Sequence, residues 1–326
     1  MSGREIATRF LPVPTTVSRQ LAAAMAQPLD ACLELVLRAP TNRVHWPAYV
    51  AKFAEGADDR ITQFLERYPA KIETSVINGV TVHKIGPHSL SAKNAKRLLV
   101  HLHGGAFVVG GGRPGLAEAI LAAHHTGTTV LSIDYRLAPD HPFPAALDDA
   151  LAVWRDLTSR IDPRLLAIFG TSAGGGLALS LGLAAKAASL PLPAAFAPST
   201  PWSELAENGD SYFVNRFVDA AAPTYEGLLA ASAKFYAGGR DMSDPLLSPV
   251  NGDFSGFPPT LLFSGTRDLF LSNTVRVHRK MRQAGVDAQL HIFEGLSHGN
   301  LIALDDSPEA IDAMSELNRF LDSCLD

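Results

Sequence analysis

A serine between glycines is the clearest sign of chemistry in this sequence. Gly170-Thr171-Ser172-Ala173-Gly174 has the pattern G-x-S-x-G and lies between the apolar run LLAIF and a helical segment. A serine on such a tight strand-to-helix turn takes a strained backbone conformation, and the glycines remove side chains that would block the turn. The turn presents the hydroxyl at the carboxyl edge of a sheet, where open α/β sheets bind ligands. The spacing predicts Ser172 as a nucleophile.

A serine hydroxyl is a poor nucleophile until a base removes its proton, so a histidine is needed nearby. Three histidines follow Ser172 in the chain. His278 lies in a polar helical segment and His291 lies within a strand, on one face of it. His298 follows that strand, in the loop EGLSHG, whose small residues let it bend toward the serine. We therefore expect His298 to be the base.

A third group should orient the imidazole and stabilise its protonated form. Asp268 follows the apolar run PPTLLFSG and lies between the serine and the histidine in the chain. The alternative is a surface aspartate paired with Arg267. Asp241 and Asp244 are weaker candidates because no strand immediately precedes them. The sequence favours Asp268 as the acid.

The fourth requirement is a set of backbone N–H donors for the negative oxygen of a tetrahedral intermediate. His103-Gly104-Gly105-Ala106 directly follows the strand-like run RLLVHLH. Glycines at such a position let backbone amides approach a ligand closely. We expect the oxyanion hole to consist of the N–H groups of Gly104, Gly105 and Ala173.

The elements that must position these residues alternate along the chain. A hairpin around Asn78-Gly79 is followed by strands separated by helical segments, about eight strands in all. This pattern predicts an α/β fold with a mostly parallel sheet covered on both faces. Prolines divide residues 1–70 into short helices, and the aromatic-rich segment after Trp202 fits the alternation least. We interpret both as parts of a lid; a surface excursion with its own small core is the alternative.

Composition excludes several classes of protein. The 326 residues are 47% hydrophobic and 19% charged, with a net charge of −5, which argues against disorder and against a nucleic-acid partner. Two cysteines cannot form a disulfide framework. The first residues carry Arg and Glu where a signal peptide needs an apolar core, and no apolar run is long enough to span a bilayer. We expect a soluble, cytoplasmic protein without an integral membrane segment.

Two other motifs compete for a functional interpretation. Residues 110–115 match G-x-G-x-x-G, and Asp134 follows about twenty residues later, as in dinucleotide-binding folds. However, these glycines do not directly follow the strand. His101 and His103 have a spacing that would suit a metal, but two ligands do not make a site, and we expect His101 to be structural.

Taken together, the motifs resemble those of bacterial hormone-sensitive-lipase-type carboxylesterases of the α/β-hydrolase superfamily. The similarity rests on the order Ser–Asp–His and on four further segments: HGGAF (103–107), YRLAPDHPFPAALDD (135–149), GTSAGG (170–175) and DPLLSP (244–249). The resemblance implies an α/β-hydrolase fold with a catalytic domain in 71–201 and 244–326. It also implies a helical cap from 1–70 and 202–243, and a His103 that braces the oxyanion loop.

Three positions depart from the family pattern. Ala106 replaces the third glycine of the oxyanion loop, which would narrow access for bulky or tertiary alcohol esters. Leu269 follows the aspartate where the family usually has proline, and Ser272 stands where it has a second acidic residue.

The resemblance implies a serine carboxylesterase for short to medium acyl esters, with a small-molecule ester as partner and with no metal or organic cofactor. Lactone or amide hydrolysis would use the same machinery. A ligand-binding receptor of this fold is the non-enzymatic alternative, which the presence of all three triad candidates disfavours. A homodimer through the last strand, at the sheet edge, is a further expectation.

Overall fold

The central sheet begins with the hairpin that the sequence predicts. The computed structural model describes residues 10–326, apart from the side chains of residues 30–32 and 53. Asn78 and Gly79 have φ values of 50° and 84°, which suit a two-residue hairpin turn. The strands are β1 Ala70–Ile77, β2 Val80–Pro87, β3 Leu98–Leu102, β4 Thr129–Ile133, β5 Leu166–Thr171, β6 Ala195–Ser199, β7 Thr260–Gly265 and β8 Ala288–Phe293.

These eight strands form one sheet in the order β1-β2-β4-β3-β5-β6-β7-β8. Strand β2 is antiparallel to both of its neighbours, and every other pair is parallel. The expected mostly parallel sheet is therefore confirmed. Because parallel strands end at a common edge, the loops after β3, β5, β7 and β8 meet there. Strand β8 is an edge strand, and its pairing with a second copy stays a prediction.

Helices cover both faces of the sheet. Leu99 and Val100 are neighbours in β3 but belong to opposite cores, because side chains alternate along a strand. The helices are α1 Arg19–Met25, α2 Asp30–Leu37, α3 Trp46–Phe53, α4 Ala57–Arg67, α5 Ala117–Thr126, α6 Ala145–Arg160, α7 Ala173–Ala187, α8 Ser211–Val214, α9 Leu228–Ala237, α10 Leu271–Gln283, α11 Asn300–Ala303 and α12 Pro308–Cys324. One core contains α6, α7 and α10, and the other contains α5 and α12.

The segment between β6 and β7, which we call the insertion (residues 202–243), is less helical than the sequence suggests. Only α8 and α9 are regular, because glycines and Pro223 interrupt the rest. Gly227 lies against the N-terminal helices: a Cβ there would be 2.2 Å from the carbonyl oxygen of Val36. The division into cap and catalytic domain stays a prediction, and residues 1–9 lie outside the described part. From residue 10 onward, no helix is long and apolar enough to cross a membrane.

Candidate active site

Ser172 occupies the turn between β5 and α7 in a strained conformation. Its φ is 63° and its ψ is −123°, a region that costs a non-glycine residue about 1–3 kcal/mol. The strained conformation is held from both sides, because the Ser172 N–H donates to the carbonyl of Ser199 (3.0 Å) and the Trp202 N–H donates to the carbonyl of Ser172 (2.8 Å). These two hydrogen bonds therefore fix the backbone from which the Ser172 side chain extends at the carboxyl edge of the sheet.

The two glycines of the motif are needed for close packing against the neighbouring strand. A Cβ at Gly170 would lie 2.2 Å from the carbonyl oxygen of Leu102, and one at Gly174 would lie 1.9 Å from the same oxygen. Leu102 is the last residue of β3, directly before the glycine loop. The glycines thus let the serine turn and the end of β3 touch.

His298 and Asp268, which the sequence predicts as base and acid, are hydrogen-bonded. The distance from His298 Nδ1 to Asp268 Oδ1 is 3.1 Å. Because the ionised carboxylate can only accept, Nδ1 carries the proton and Nε2 keeps its lone pair. The carboxylate of Asp268 also accepts from the Ser264 hydroxyl (2.5 Å) and from the Phe270 N–H (2.8 Å). The aspartate is fully buried, so these contacts fix its orientation.

The environment of His298 raises the pKa of its imidazole. Burial lowers the pKa, but the hydrogen bond and negative charge of Asp268, together with the charge of Asp219, outweigh burial. The net effect favours the protonated ring. This is the direction required of a base that must hold a proton during the reaction.

The loop after β3 presents backbone N–H groups that other parts of the chain do not use. In residues 10–326, neither the Gly104 nor the Gly105 N–H donates to a protein acceptor. Gly105 has a φ of 114°, and a Cβ there would lie 2.1 Å from the carbonyl oxygen of Val109. Phe107 stacks on Tyr236 of α9 at 3.7 Å, which holds the loop against the insertion. Ala173 begins α7, where N–H groups have no partner within the helix.

His103 lies beneath this loop as a neutral ring. Burial lowers the pKa of His103 to about 4. Its Nδ1 is 2.7 Å from the carbonyl oxygen of Gly104; a carbonyl only accepts, so Nδ1 donates. The ring stacks on Tyr135 at 4.1 Å, and the Tyr135 hydroxyl donates to the His103 carbonyl (2.6 Å). These contacts hold the loop in place.

A cavity of about 830 Å³ joins these residues. Ser172, His298, Gly104 and Gly105 line it, and most of its wall is apolar. His278 instead contacts the carbonyl of Ala288 (3.2 Å) and is not among the lining residues. The structure therefore brings together the serine, the histidine and the glycine loop that the sequence predicts.

The competing motifs have structural partners of their own. His101 is fully buried between the Ser132 hydroxyl (2.8 Å) and the Glu118 carboxylate (3.1 Å). The Gly112 N–H donates to Asp134 (2.8 Å), so the glycine motif itself uses the carboxylate that a dinucleotide would need. Within the described residues, no group of three or more His, Cys, Asp or Glu side chains could hold a metal ion.

Sequence reasoning missed two carboxylates that contact this site. Glu118 of α5 accepts hydrogen bonds from the Thr171 hydroxyl (2.6 Å) and the Thr171 N–H (3.1 Å), directly before the serine. Asp219, in the insertion, accepts from the backbone N–H of His298 (3.1 Å). Each is a single acid in an apolar stretch, GLAEAIL and FVDAAAP, and that isolation is the signal that could have identified them.

Known proteins resemble this chain in sequence and in fold. The sequence profile of the alpha/beta hydrolase fold family matches residues 99–302. An esterase of Acinetobacter venetianus is 31% identical over 71% of this chain and 76% of its own. The crystal structure of esterase E25 is 38% identical, covers 99% of both chains and superposes with a TM-score of 0.96. An esterase from the bacterial hormone-sensitive lipase family is 28% identical over 92% of this chain and all of its own, with a TM-score of 0.76.

Proposed function

Because the chain belongs to the hormone-sensitive-lipase-type carboxylesterases of the α/β-hydrolase family, we propose that it hydrolyses esters through an acyl-enzyme on Ser172. His298 is the general base and Asp268 orients it. The observation that carries this proposal is the 3.1 Å contact between His298 Nδ1 and Asp268 Oδ1, beside a cavity that His298 shares with Ser172.

The reaction proceeds in two halves. The Ser172 oxygen attacks the ester carbonyl while His298 Nε2 accepts the hydroxyl proton, and the carbonyl π electrons move onto oxygen. Collapse of this intermediate breaks the bond to the alcohol, which leaves with the proton from His298. A water molecule then attacks the acyl-enzyme by the same route and releases the carboxylic acid. No step requires a metal or an organic cofactor.

The negative oxygen of each intermediate is stabilised by the N–H groups of Gly104, Gly105 and Ala173. Losing one such donor typically lowers kcat by about 10²–10³-fold. His103 supports these donors through the Gly104 carbonyl and does not transfer protons, since its pKa of about 4 keeps it neutral.

The substrates are short to medium acyl esters. The cavity of about 830 Å³ has the size of a site for a small molecule and is mostly apolar, which suits an alkyl chain. Residues from the N-terminal helices and the insertion, among them Val50, Ile61 and Leu229, contribute to its wall.

Substitution of the nucleophile tests the proposal. Ser172→Ala should abolish turnover of p-nitrophenyl butyrate while the circular dichroism spectrum and thermal melt persist. The control is Ser159→Ala, which removes an exposed hydroxyl of α6 bonded to the Asp156 carbonyl. The wild type should also release a burst of about one equivalent of p-nitrophenol per active site. Turnover retained by Ser172→Ala would refute the assignment.

A further inference from the structure

Asp219 is a fully buried carboxylate outside the three residues of the proposed triad. It lies in the insertion and accepts hydrogen bonds from four backbone N–H groups. Its Oδ1 accepts from Ala221 and Ala222, both at 2.9 Å. Its Oδ2 accepts from Leu269 at 2.7 Å and from His298 at 3.1 Å.

The Oδ2 contacts join two loops that come from different strands. Leu269 follows Asp268 in the loop after β7, and His298 belongs to the loop after β8. One oxygen atom of Asp219 therefore fixes the spacing between the backbone at the acid and the backbone at the base. The Oδ1 contacts fix the carboxylate to its own segment, whose residues Ala221 and Ala222 line the cavity.

Asp219 also acts on the His298 ring through its charge. Asp268 and Asp219 are the two charged groups whose fields raise the pKa of His298, and burial opposes them. Burial and the neighbouring Asp268 raise the pKa of Asp219 itself, although His298 and the backbone donors act in the opposite direction. Its four backbone N–H donors favour the ionised carboxylate, because each of them requires an acceptor.

We propose that Asp219 is a positioning residue for the reaction: it holds the Asp268 and His298 loops at their working distance and adds a second negative charge close to His298. This inference rests on the proposed triad. It also assigns to the insertion a direct contact with the acid and base loops, in addition to its contacts with the serine turn through Trp202 and with Phe107 through Tyr236. A purely structural carboxylate would affect folding stability and leave the chemistry of His298 unchanged.

Asp219→Asn tests this role because it keeps the shape and removes the charge. The amide places its NH2 group either toward the Oδ1 donors in its own segment or toward the Oδ2 donors Leu269 and His298. One of these two pairs of N–H groups therefore loses its acceptor. With p-nitrophenyl butyrate we expect kcat to fall at least about tenfold, with KM within about threefold, because the loss lies in alignment and not in binding. The midpoint of the rise of kcat/KM with pH on the acid side, which we call the acid limb, should move to lower pH by at least about 0.3. The reason is that the substitution removes a charge that raises the pKa of His298.

Two further variants keep the test decisive. Asp149→Asn removes another buried carboxylate, one that accepts from the N–H of Arg136 (2.9 Å), and should lower the melting temperature without moving the acid limb. Asp219→Glu keeps the charge, and its extra methylene must displace the loops. It should therefore lower kcat at least about fivefold, while the acid limb stays within about 0.2 pH of wild type. If Asp219→Asn does not fold, this variant alone tests the positioning role.

The outcomes separate this inference from the proposed function. If Ser172→Ala is inactive but Asp219→Asn keeps the wild-type kcat and acid limb, the positioning role is wrong and the triad stands. A wild-type kcat in Asp219→Glu would overturn the role in the same way. Activity in Ser172→Ala would instead remove the proposed function on which the inference rests.

Discussion

Gly174→Ala should damage catalysis more than the added methyl group suggests. The new Cβ would lie 1.9 Å from the carbonyl oxygen of Leu102 and 2.7 Å from that of His103. Both carbonyls belong to the backbone that leads into the oxyanion loop. To restore an ordinary contact of about 3.4 Å, the serine turn and the end of β3 must separate by about 1.5 Å in a closely packed interior.

That separation acts on both halves of the reaction centre at once. It moves Ser172 away from the Gly104 and Gly105 donors, and a misplacement of about 1 Å can cost about 10²-fold in rate. Overpacking also lowers the free energy of unfolding by about 1–3 kcal/mol, which is a fall of a few degrees in Tm. We expect kcat for p-nitrophenyl butyrate to fall at least about 10²-fold in a protein that still folds.

Gly86→Ala is the matched control for this measurement. A Cβ at Gly86, in β2, would meet its nearest neighbour, the Lys71 carbonyl oxygen, at 3.7 Å, which is ordinary van der Waals contact. Its kcat should stay within about twofold of wild type, because β2 does not border the serine turn. A folded Gly174→Ala enzyme with kcat within about threefold of wild type would refute the reasoning. The close packing of Gly174 on the Leu102 carbonyl would then not be needed for the alignment of Ser172 with the oxyanion donors.

Two further predictions follow from the proposed base and from the cavity. The kcat/KM of the wild type should rise with pH, with a midpoint above about 6.5, because the reaction needs neutral His298 and Asp268 raises the pKa of that ring; a profile that is flat from pH 5 to 8 would contradict this. Along p-nitrophenyl esters from C2 to C12, kcat/KM should be highest for the short to medium acyl chains of the proposed substrates, which the mostly apolar cavity wall can bind; an optimum at C12 would contradict it.

Local sequence signals were sufficient for most of the fold and for the positions of the candidate residues. The alternation of strand and helix patterns predicts the parallel sheet, and a parallel sheet places the ends of β3, β5, β7 and β8 at one edge. This is why Ser172, His298 and the glycine loop could be expected to meet although 195 positions separate residue 298 from residue 103. The prediction depends on the types of these residues and on their positions directly after strands.

Contacts between distant irregular segments were not accessible in the same way. Asp219 lies in a stretch without periodicity, and its partners at Leu269 and His298 are backbone N–H groups, which every residue except proline possesses. The isolated acid marks Asp219 as unusual, but nothing in the residue types marks Leu269 and His298 as its partners. Glu118 is similar: its role depends on a hydrogen bond to the Thr171 backbone, which only the packing of α5 on the sheet creates.

The insertion contacts the oxyanion loop, the acid and base loops and the N-terminal helices by different kinds of interaction. Tyr236 stacks on Phe107 behind the oxyanion loop, Asp219 binds the backbone of the acid and base loops, and Gly227 packs on the N-terminal helices. The same segment provides Ala221, Ala222 and Leu229 to the wall of the cavity. The same backbone thus carries residues of the cavity wall and residues that hold the catalytic loops. A substitution in this segment that changes substrate preference should therefore also displace catalytic groups. Val50 and Ile61 line the cavity from the N-terminal helices, so substitutions there alter the wall without changing the segment that carries Asp219 and Tyr236, and they are the better route to a change in KM alone.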